Sequence, residues 1–220
     1  MKTLVLIPAK NEEKKIGTVV SQVKSENFEV LVVDDGSTDS TAQTAEANGA
    51  TVLIHAVNRG QGASLKTGID WALEKDYDHV VFFDADGQMR ADEIKNLLEP
   101  LMLDKYEVAL GSRFLGRTEN MPFSRLITLK LALLFTRLTT GLKLTDVHNG
   151  FQAWSREALG KISLNQDRQA YASEVLSEIA KKKLKFTEIP VTITYTPYSK
   201  KKGQKLWNAF HILWDLTIKR

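Results

Sequence analysis

VVFFDADGQ, residues 80–88, joins a run of four apolar residues to a pair of aspartates and indicates the class of fold. Its four apolar residues do not alternate with polar ones, which is typical of a strand buried on both faces, as in a parallel sheet. Asp84 and Asp86 follow the run directly, ahead of Gly87. In an open α/β sheet, ligands bind beyond the carboxyl ends of the strands. The stretch therefore predicts a buried strand with a ligand site at its end.

Similar runs lie on both sides of this stretch. Between them, apolar residues recur at the i, i+3, i+4, i+7 spacing of amphipathic helices. Ser37 or Thr38 is predicted to cap a helix that Gly49 ends. Alternating strands and helices imply right-handed βαβ crossovers. We predict an α/β fold, a Rossmann-like, mostly parallel sheet flanked by helices, with strands at residues 3–7, 30–33, 52–54, 80–83 and 108–110 and helical patterns over 16–23 and 94–101.

The second half of the chain departs from this alternation. Residues 122–144 have high helical propensity, with Lys130 and Arg137 among apolar residues. Residues 185–195 are predicted to be extended but broken at Pro190. The remaining predictions are a loop at 145–154, a helix at 173–183 and an aromatic-rich closing helix at 206–218.

Length and composition narrow the possible classes of protein. The 220 residues predict a single domain over residues 1–220. A net charge of +3 is too small to indicate nucleic acid binding, and the absence of cysteine excludes disulfides and cysteine nucleophiles. The N-terminal apolar run is too short for a signal peptide, and no run approaches the roughly 20 residues of a membrane-spanning helix. We therefore expect a soluble or peripheral protein.

Three polar clusters follow the first, second and fourth predicted strands, at residues 8–13, 34–39 and 84–88. Because the carboxyl ends of parallel strands meet at one edge of a sheet, we expect these clusters to converge. Asp84 and Asp86 are two residues apart and face the same side of an extended chain. This pair predicts a site for Mg²⁺ or Mn²⁺, with Gln88 as a further oxygen ligand and diphosphate oxygens completing it.

A glycine-rich loop, residues 58–63, opens a predicted helix. Such a loop offers backbone N–H groups to phosphates. Leu65 stands where both the dinucleotide fingerprint and the Walker A loop require glycine. The loop is either a phosphate cradle of another kind or a plain entry turn to the helix.

Taken together, the clusters resemble family 2 glycosyltransferases, in the branch that includes dolichyl-phosphate mannose synthases and bacterial polyprenyl-phosphate sugar transferases. The resemblance runs from Val5 to Glu157 in the family's order, in the stretches VLIPAKNEE, VVDDGSTD, NRGQGASLKTG, FFDADGQ, GSRF and TDVHNGFQAWSRE.

The resemblance implies a GT-A-like fold, with a nucleotide-sugar-binding half at residues 1–115 and an acceptor-side half, helical and extended, at 116–220. It implies that Asp86, Asp146 and Arg113 are catalytic, and that Asp84, Asp86 and Gln88 hold the metal. The nucleotide-sugar residues that it implies are Pro8, Ala9, Asn11, Glu12, Asp34, Asp35, Gly36, Lys66, Asp84 and Ala85. The candidates for binding the acceptor phosphate are Arg125, Lys200, Lys202 and Lys205, although lysines stand where the family has a late arginine.

The resemblance also implies an inverting transfer from a UDP- or GDP-sugar to a polyprenyl phosphate on the cytoplasmic face of the membrane. Such an acceptor is already anionic and needs no strong base, whereas a saccharide hydroxyl requires one, with Asp146 or Glu174 as candidates. The apolar, basic stretches 123–142 and 206–220 favour an anionic membrane surface, although ordinary core packing explains them equally well. A small membrane-protein partner is the other possible anchor.

Three alternatives of other classes remain. Residues 80–87 also resemble the first motif of haloacid-dehalogenase-type phosphatases, but Gln88 replaces the usual Thr or Val. A nucleotidyltransferase would need a glycine- and arginine-containing loop after the first strand, which residues 8–13 lack. A non-catalytic sugar-nucleotide-binding protein would have lost Asp84, Asp86 or Arg113, and all three are present.

Overall fold

The computed structural model describes residues 1–168 and 170–198. Within these residues, the strands form one sheet in the order β3-β2-β1-β4-β6-β5-β7. The strands are β1 (Thr3–Ala9), β2 (Glu29–Asp34), β3 (Thr51–Ile54), β4 (His79–Phe82), β5 (Val108–Glu119), β6 (Gln152–Ser155) and β7 (Phe186–Thr194). The helices are α1 (Glu13–Ser25), α2 (Thr41–Ala47), α3 (Gln61–Glu74), α4 (Ile94–Met102), α5 (Phe123–Thr140), α6 (Arg156–Lys161) and α7 (Tyr171–Lys182).

The sheet is mostly parallel. Strands β3, β2, β1 and β4 pair in parallel, as do β5 and β7. Strand β6 runs antiparallel to both β4 and β5 and joins the two groups. The predicted α/β fold, with helices on a mostly parallel sheet, is confirmed. The sheet takes strands from both predicted halves of the chain, since β6 and β7 lie within residues 116–220.

The strands are apolar throughout because both faces of the sheet are covered. In β1, Val5 and Ile7 pack into one core with residues of α1 and α4. Leu4 and Leu6 pack into a second core with residues of α3 and α7. Gly68 in α3 permits this second contact, because a Cβ there would lie 2.2 Å from Leu6 Cδ1.

Three local predictions are wrong. Helix α2 begins at Thr41 rather than after Ser37 or Thr38, since Ser37 and Thr38 hydrogen-bond to the side chains of Asp34 and Asn11 instead. The predicted loop at 145–154 ends early, because residues from Gln152 onwards pair between β4 and β5 as strand β6.

The third wrong prediction concerns Pro190, which does not break β7. Among the described strands, β7 lies at the edge of the sheet, where a proline without an N–H is tolerated. Strand β5 is also longer than predicted and continues to Glu119 beyond a register shift. The predicted helix at 206–218 lies outside the described residues. Across the described residues, no helix is both long and apolar enough to cross a membrane.

Substitution of Gly68 by alanine tests the packing of α3 on β1. We expect Gly68→Ala to lower the free energy of unfolding by about 1–3 kcal/mol, because the methyl group would overlap Leu6. Gly160→Ala in α6 is the matched control: its Cβ would meet nothing within 4 Å, so alanine should be neutral or stabilise the helix by up to about 1 kcal/mol. Urea unfolding of both variants measures the difference. Equal stabilities would contradict the proposed close approach.

Candidate active site

The two aspartates that follow β4 lie at the carboxyl edge of the sheet, partly buried. The Gln61 side-chain amide donates to Asp84 Oδ1 at 3.3 Å, and the Gln88 N–H donates to Asp86 Oδ1 at 3.0 Å. A Cβ at Gly150 would lie 2.8 Å from both carboxylate oxygens of Asp84, so glycine leaves room for that carboxylate. Burial and the neighbouring Asp86 carboxylate raise the pKa of Asp84 to about 7. Keeping the two carboxylates close together and ionised therefore lowers the stability of the fold.

These carboxylates fit a hard divalent cation, which prefers oxygen ligands and would relieve their repulsion. Across residues 1–168 and 170–198, no group of three or more His, Cys, Asp or Glu side chains is placed to hold a metal ion. A cation at Asp84 and Asp86 would therefore need oxygens from another source, such as a diphosphate. Ala85 is buried, and the Gln88 carbonyl accepts from the Thr194 N–H at 3.0 Å, which fixes the turn.

Side chains tie the loop after β1 to the loop after β2. The Asn11 N–H donates to Ser37 Oγ at 2.9 Å, and Asn11 Oδ1 accepts from the Thr38 N–H at 2.9 Å. The Asp34 carboxylate accepts from the Ser37 N–H at 3.0 Å and closes the second loop. Two of the polar clusters predicted from the sequence are thus joined directly.

The first loop also reaches the aspartates after β4. Pro8 and Ala9 end β1, and Glu12 follows them, buried. The Tyr198 hydroxyl donates to Glu12 Oε2 at 2.8 Å. Burial raises the pKa of Tyr198, and Glu12 and Asp86 add to that rise. All three strand-end loops therefore meet, as the sequence predicts, and the end of the described chain lies against them.

Asp35 holds the glycine-rich loop in place. Its carboxylate accepts from the N–H groups of Arg59 and Gly60 at 2.8 and 2.7 Å and contacts His55 Nδ1 at 2.9 Å. Burial opposes ionisation of Asp35, but these hydrogen bonds outweigh it and hold its pKa below the usual value. Next to it, Gly36 has a φ of +65°, and a Cβ there would lie 2.9 Å from the backbone of the same loop. Asp35 and Gly36 therefore shape the loop.

The glycines of this loop allow it to pack against the second half of the chain. A Cβ at Gly62 would lie 2.0 Å from the carbonyl oxygen of Gln166, and the Ala63 N–H donates to the Asp167 carbonyl at 3.0 Å. The start of α3 thus receives its acceptor from the chain itself, which favours an entry turn over a phosphate cradle. Lys66 lies on the exposed side of α3 and lines a shallow depression there with residues 159–160 and 162–165.

Arg113 and Asp146 form a buried ion pair. Asp146 Oδ2 accepts from the N–H of Arg113 at 2.9 Å and from its Nε at 2.7 Å. The side chains are only 4% and 1% exposed. The other guanidinium nitrogens donate to the Tyr195 hydroxyl at 2.7 Å and to the His148 carbonyl at 3.2 Å. Asp146 Oδ1 accepts from the Val147 N–H at 2.8 Å. Asp146 is therefore the residue that positions Arg113.

Two residues that the sequence analysis did not identify support this pair. The Glu188 carboxylate accepts from the N–H groups of Thr145 and Asp146, at 2.8 Å at the shortest, and from the Thr145 hydroxyl. The Asn149 amide donates to the Gly111 carbonyl at 2.8 Å. No spacing in the sequence points to Glu188. Asn149 lies inside TDVHNGF, one of the stretches that carry the family resemblance, so the motif located this loop without identifying Asn149 itself.

Arg125, at the start of α5, lies close enough to His148 to affect its ionisation. Burial, followed by the charges of Arg125 and Arg113, lowers the pKa of His148 to about 4. His148 Nε2 contacts Ser173 Oγ at 3.2 Å. Arg125 therefore acts on the same residue, His148, whose carbonyl accepts from Arg113. The other acceptor-phosphate candidates lie outside the described residues: Lys200, Lys202 and Lys205.

The pKa of His148 tests the placement of Arg125. In a histidine-resolved NMR titration, His148 should stay neutral until the pH approaches about 4, and Arg125→Gln should raise this pKa because one repelling cation is lost. Lys130→Gln, on the exposed side of the same helix, should leave it unchanged. Since the unfolded value is about 6.5, protonation at His148 should cost stability as the pH falls through this interval. An ordinary pKa for His148 would contradict the geometry.

Comparison with known proteins assigns the family. The profile of Glycosyl transferase family 2 matches residues 4–163. The UDP-N-acetylglucosamine--dolichyl-phosphate N-acetylglucosaminyltransferase of Methanococcus voltae is 34% identical over 97% of this chain and 94% of its own. The polyprenol monophosphomannose synthase of Mycolicibacterium smegmatis is 32% identical over 89% of this chain and 77% of its own.

A solved structure confirms the predicted GT-A-like fold. Glucosyl-3-phosphoglycerate synthase from Mycobacterium tuberculosis, in complex with Mn²⁺ and UDP-glucose, superposes with a TM-score of 0.75 at 20% identity. The match covers 98% of this chain and 76% of that one. The phosphatase, nucleotidyltransferase and non-catalytic alternatives are not supported, because the matched family consists of sugar transferases. This chain is a glycosyltransferase and belongs to glycosyl transferase family 2.

Proposed function

We propose that this chain transfers a hexose or N-acetylhexosamine from a UDP- or GDP-sugar to a polyprenyl phosphate, with inversion, on the cytoplasmic face of a membrane. An acceptor phosphate oxygen attacks the anomeric carbon, and the bond from that carbon to the donor diphosphate breaks. The nucleoside diphosphate leaves with the electron pair. Relatives named for dolichyl-phosphate and polyprenol substrates support this acceptor class.

The donor would lie along the strand-end loops. The joined loops after β1 and β2, with Pro8, Ala9, Asn11 and Asp34, would bind the nucleoside. Asp84 and Asp86 would hold a divalent cation, which, when bound, neutralises charge that builds on the leaving diphosphate. Asp35 contributes indirectly, through the loop that it holds.

The hydrogen bonds of Asp146 are the observation that favours a phosphate acceptor over a hydroxyl acceptor. Its carboxylate is already engaged by two N–H groups of Arg113 and by the Val147 N–H. The other candidate base, Glu174, accepts from the N–H groups of Asn165 and Gln166, at 2.9 Å at the shortest. A carboxylate bound in this way is a poor general base. An acceptor that is already ionised needs none, so a phosphate acceptor fits better than a saccharide hydroxyl.

Arg113 would supply positive charge to the reacting phosphates. A guanidinium carries five N–H donors in a rigid fork. Within the described residues, its partners Asp146, Tyr195 and His148 account for three of them. The fixed charge already acts on the metal site, because Arg113 opposes the rise in the pKa of Asp84. A preorganised charge of this kind stabilises the transition state without reorganisation.

A turnover assay with mass-spectrometric detection tests the proposal. Purified protein, UDP- and GDP-sugars, a short-chain polyprenyl phosphate and Mg²⁺ or Mn²⁺ should give a glycosyl-phosphate lipid that a chelator abolishes. Asp86→Asn should lower the rate by about 100-fold or more, because charge opposite the diphosphate is lost. Asp92→Asn, an exposed aspartate paired with Arg90, is the matched control and should stay within about twofold. Transfer to saccharide hydroxyls alone would refute the lipid acceptor.

The pH dependence of Asp146→Asn tests whether Asp146 is a base. If Asp146 only positions Arg113, the variant should lose about 100-fold in kcat yet keep the acidic limb of the kcat/KM profile. Because the pair is buried, this change should also cost about 3–5 kcal/mol of stability, so rates are compared below the midpoint of thermal unfolding. Loss of the acidic limb would identify Asp146 as the base and favour a hydroxyl acceptor. Glu174→Gln, measured in parallel, tests the second candidate.

A further inference from the structure

The outer face of α5 carries a continuous row of exposed apolar side chains. Its members, here called the α5 stripe, are Phe123, Ile127, Leu131, Leu134 and Leu138, which are 74%, 46%, 63%, 56% and 77% exposed. Their spacing alternates between three and four residues, so at about 100° per residue they share one side of the helix. The opposite side, including Leu129 and Thr136, is buried. Exposed apolar surface of this extent on a soluble domain marks an interaction surface.

The charged side chains of α5 itself are all basic. Residues 120–145 contain four basic side chains and no acidic one, whereas the rest of the chain contains 26 basic and 27 acidic residues. Residues 120–145 therefore carry a net charge of +4, within a chain whose net charge is +3. Lys130 and Arg137, both exposed, lie along one edge of the stripe, with Lys130 Nζ 4.7 Å from the centroid of the Phe114 ring. The complementary partner is apolar in its interior and anionic at its surface.

The dimensions of α5 indicate how it meets that partner. The helix has 18 residues, a length of about 27 Å, but its cations leave it too polar to cross a membrane. An amphipathic helix with basic residues beside an apolar face lies in the plane of the bilayer interface. Self-association is disfavoured, because two copies of the stripe would bring Lys130 and Arg137 of both chains together.

The position of α5 connects this surface to the active site. The helix joins β5, which carries Arg113, to the loop that carries Asp146. At its first turn, Arg125 is close to His148, on the side away from the stripe. A surface that contacts the stripe therefore lies about one helix diameter, roughly 10 Å, from Arg125, the arginine predicted to bind the acceptor phosphate.

We propose that α5 is an interfacial membrane helix, whose stripe enters the headgroup region of an anionic bilayer while Lys130 and Arg137 contact lipid phosphates. The inference deepens the proposed function, since it names the surface at which a polyprenyl phosphate is taken up. Membrane binding itself needs neither donor nor acceptor. It can therefore be tested separately from the transfer reaction.

Vesicle binding of the full chain is the test. Vesicles of phosphatidylcholine with roughly 30% phosphatidylglycerol, free of polyprenyl phosphate, should bind the protein at low salt and release it as salt screens the anionic surface. Leu134→Glu should weaken binding at least tenfold. Leu103→Glu is the matched control, because Leu103 at the end of α4 is 54% exposed and should bind as the parent chain does. Circular dichroism of both variants checks that they are folded.

A second measurement locates the stripe itself. Since the chain has no cysteine, Leu134→Cys and Leu103→Cys each accept a single environment-sensitive label. The label at 134 should report an apolar environment only when vesicles are added, and the label at 103 should not respond. Equal vesicle binding by Leu134→Glu and the parent chain, or no binding at all, overturns the proposal. So does a label at 134 that is shielded without vesicles, since part of the chain would then cover the stripe.

Discussion

The buried ion pair between Arg113 and Asp146 is the interaction on which the rest of the site depends. A buried guanidinium is tolerated only when it is paired and its donors are used, because the unpaired charge would cost several kcal/mol. Here its partners come from separate parts of the chain: the 145–149 loop, and Tyr195 beyond the end of β7. Glu188 adds β7 to the same network by binding the backbone of Thr145 and Asp146. The pair therefore fixes three parts of the chain relative to one another: β5, the loop that carries Asp146 (residues 141–151, here called the motif loop) and β7.

The packing of the loops also depends on contacts between residues that are far apart in the sequence. Gly62 permits α3 to begin against the carbonyl of Gln166, and Gly150 lets the motif loop approach the carboxylate of Asp84. Asp35 sets the loop that leads into this contact. The glycines of the loop at residues 58–63 thus allow close contact with another segment of the chain, because side chains at Gly60 and Gly62 would overlap its backbone. The second half of the chain both extends the sheet of the first half and packs over its glycine-rich loop.

The sequence predicted the elements that depend on local pattern and missed those that depend on distant partners. Apolar runs located β1 to β4, and the polar clusters at their ends located Asp84 and Asp86, because strand direction alone brings those ends together. Glu188 and Tyr195 could not be identified, since their roles come from pairing with residues more than 40 positions away. Strand β6 was missed for the same reason: its four residues are a strand only because β4 and β5 flank them.

The acidic residues after β4 and the Arg113–Asp146 pair differ in charge, and this difference assigns them different expected roles. Without a cation, Asp84 and Asp86 repel each other, and the pKa of Asp84 is raised to about 7. This repulsion lowers the stability of the metal-free fold. It also favours binding of a divalent cation, because a bound cation would remove the repulsion. Arg113 is already paired with Asp146, so its charge is held in place before any substrate binds. Its donors matter when charge develops on the phosphates, which is where preorganised charge accelerates a reaction. In the proposed mechanism, metal and donor binding would therefore depend on the aspartates after β4, and the chemical step would depend on the Arg113–Asp146 pair.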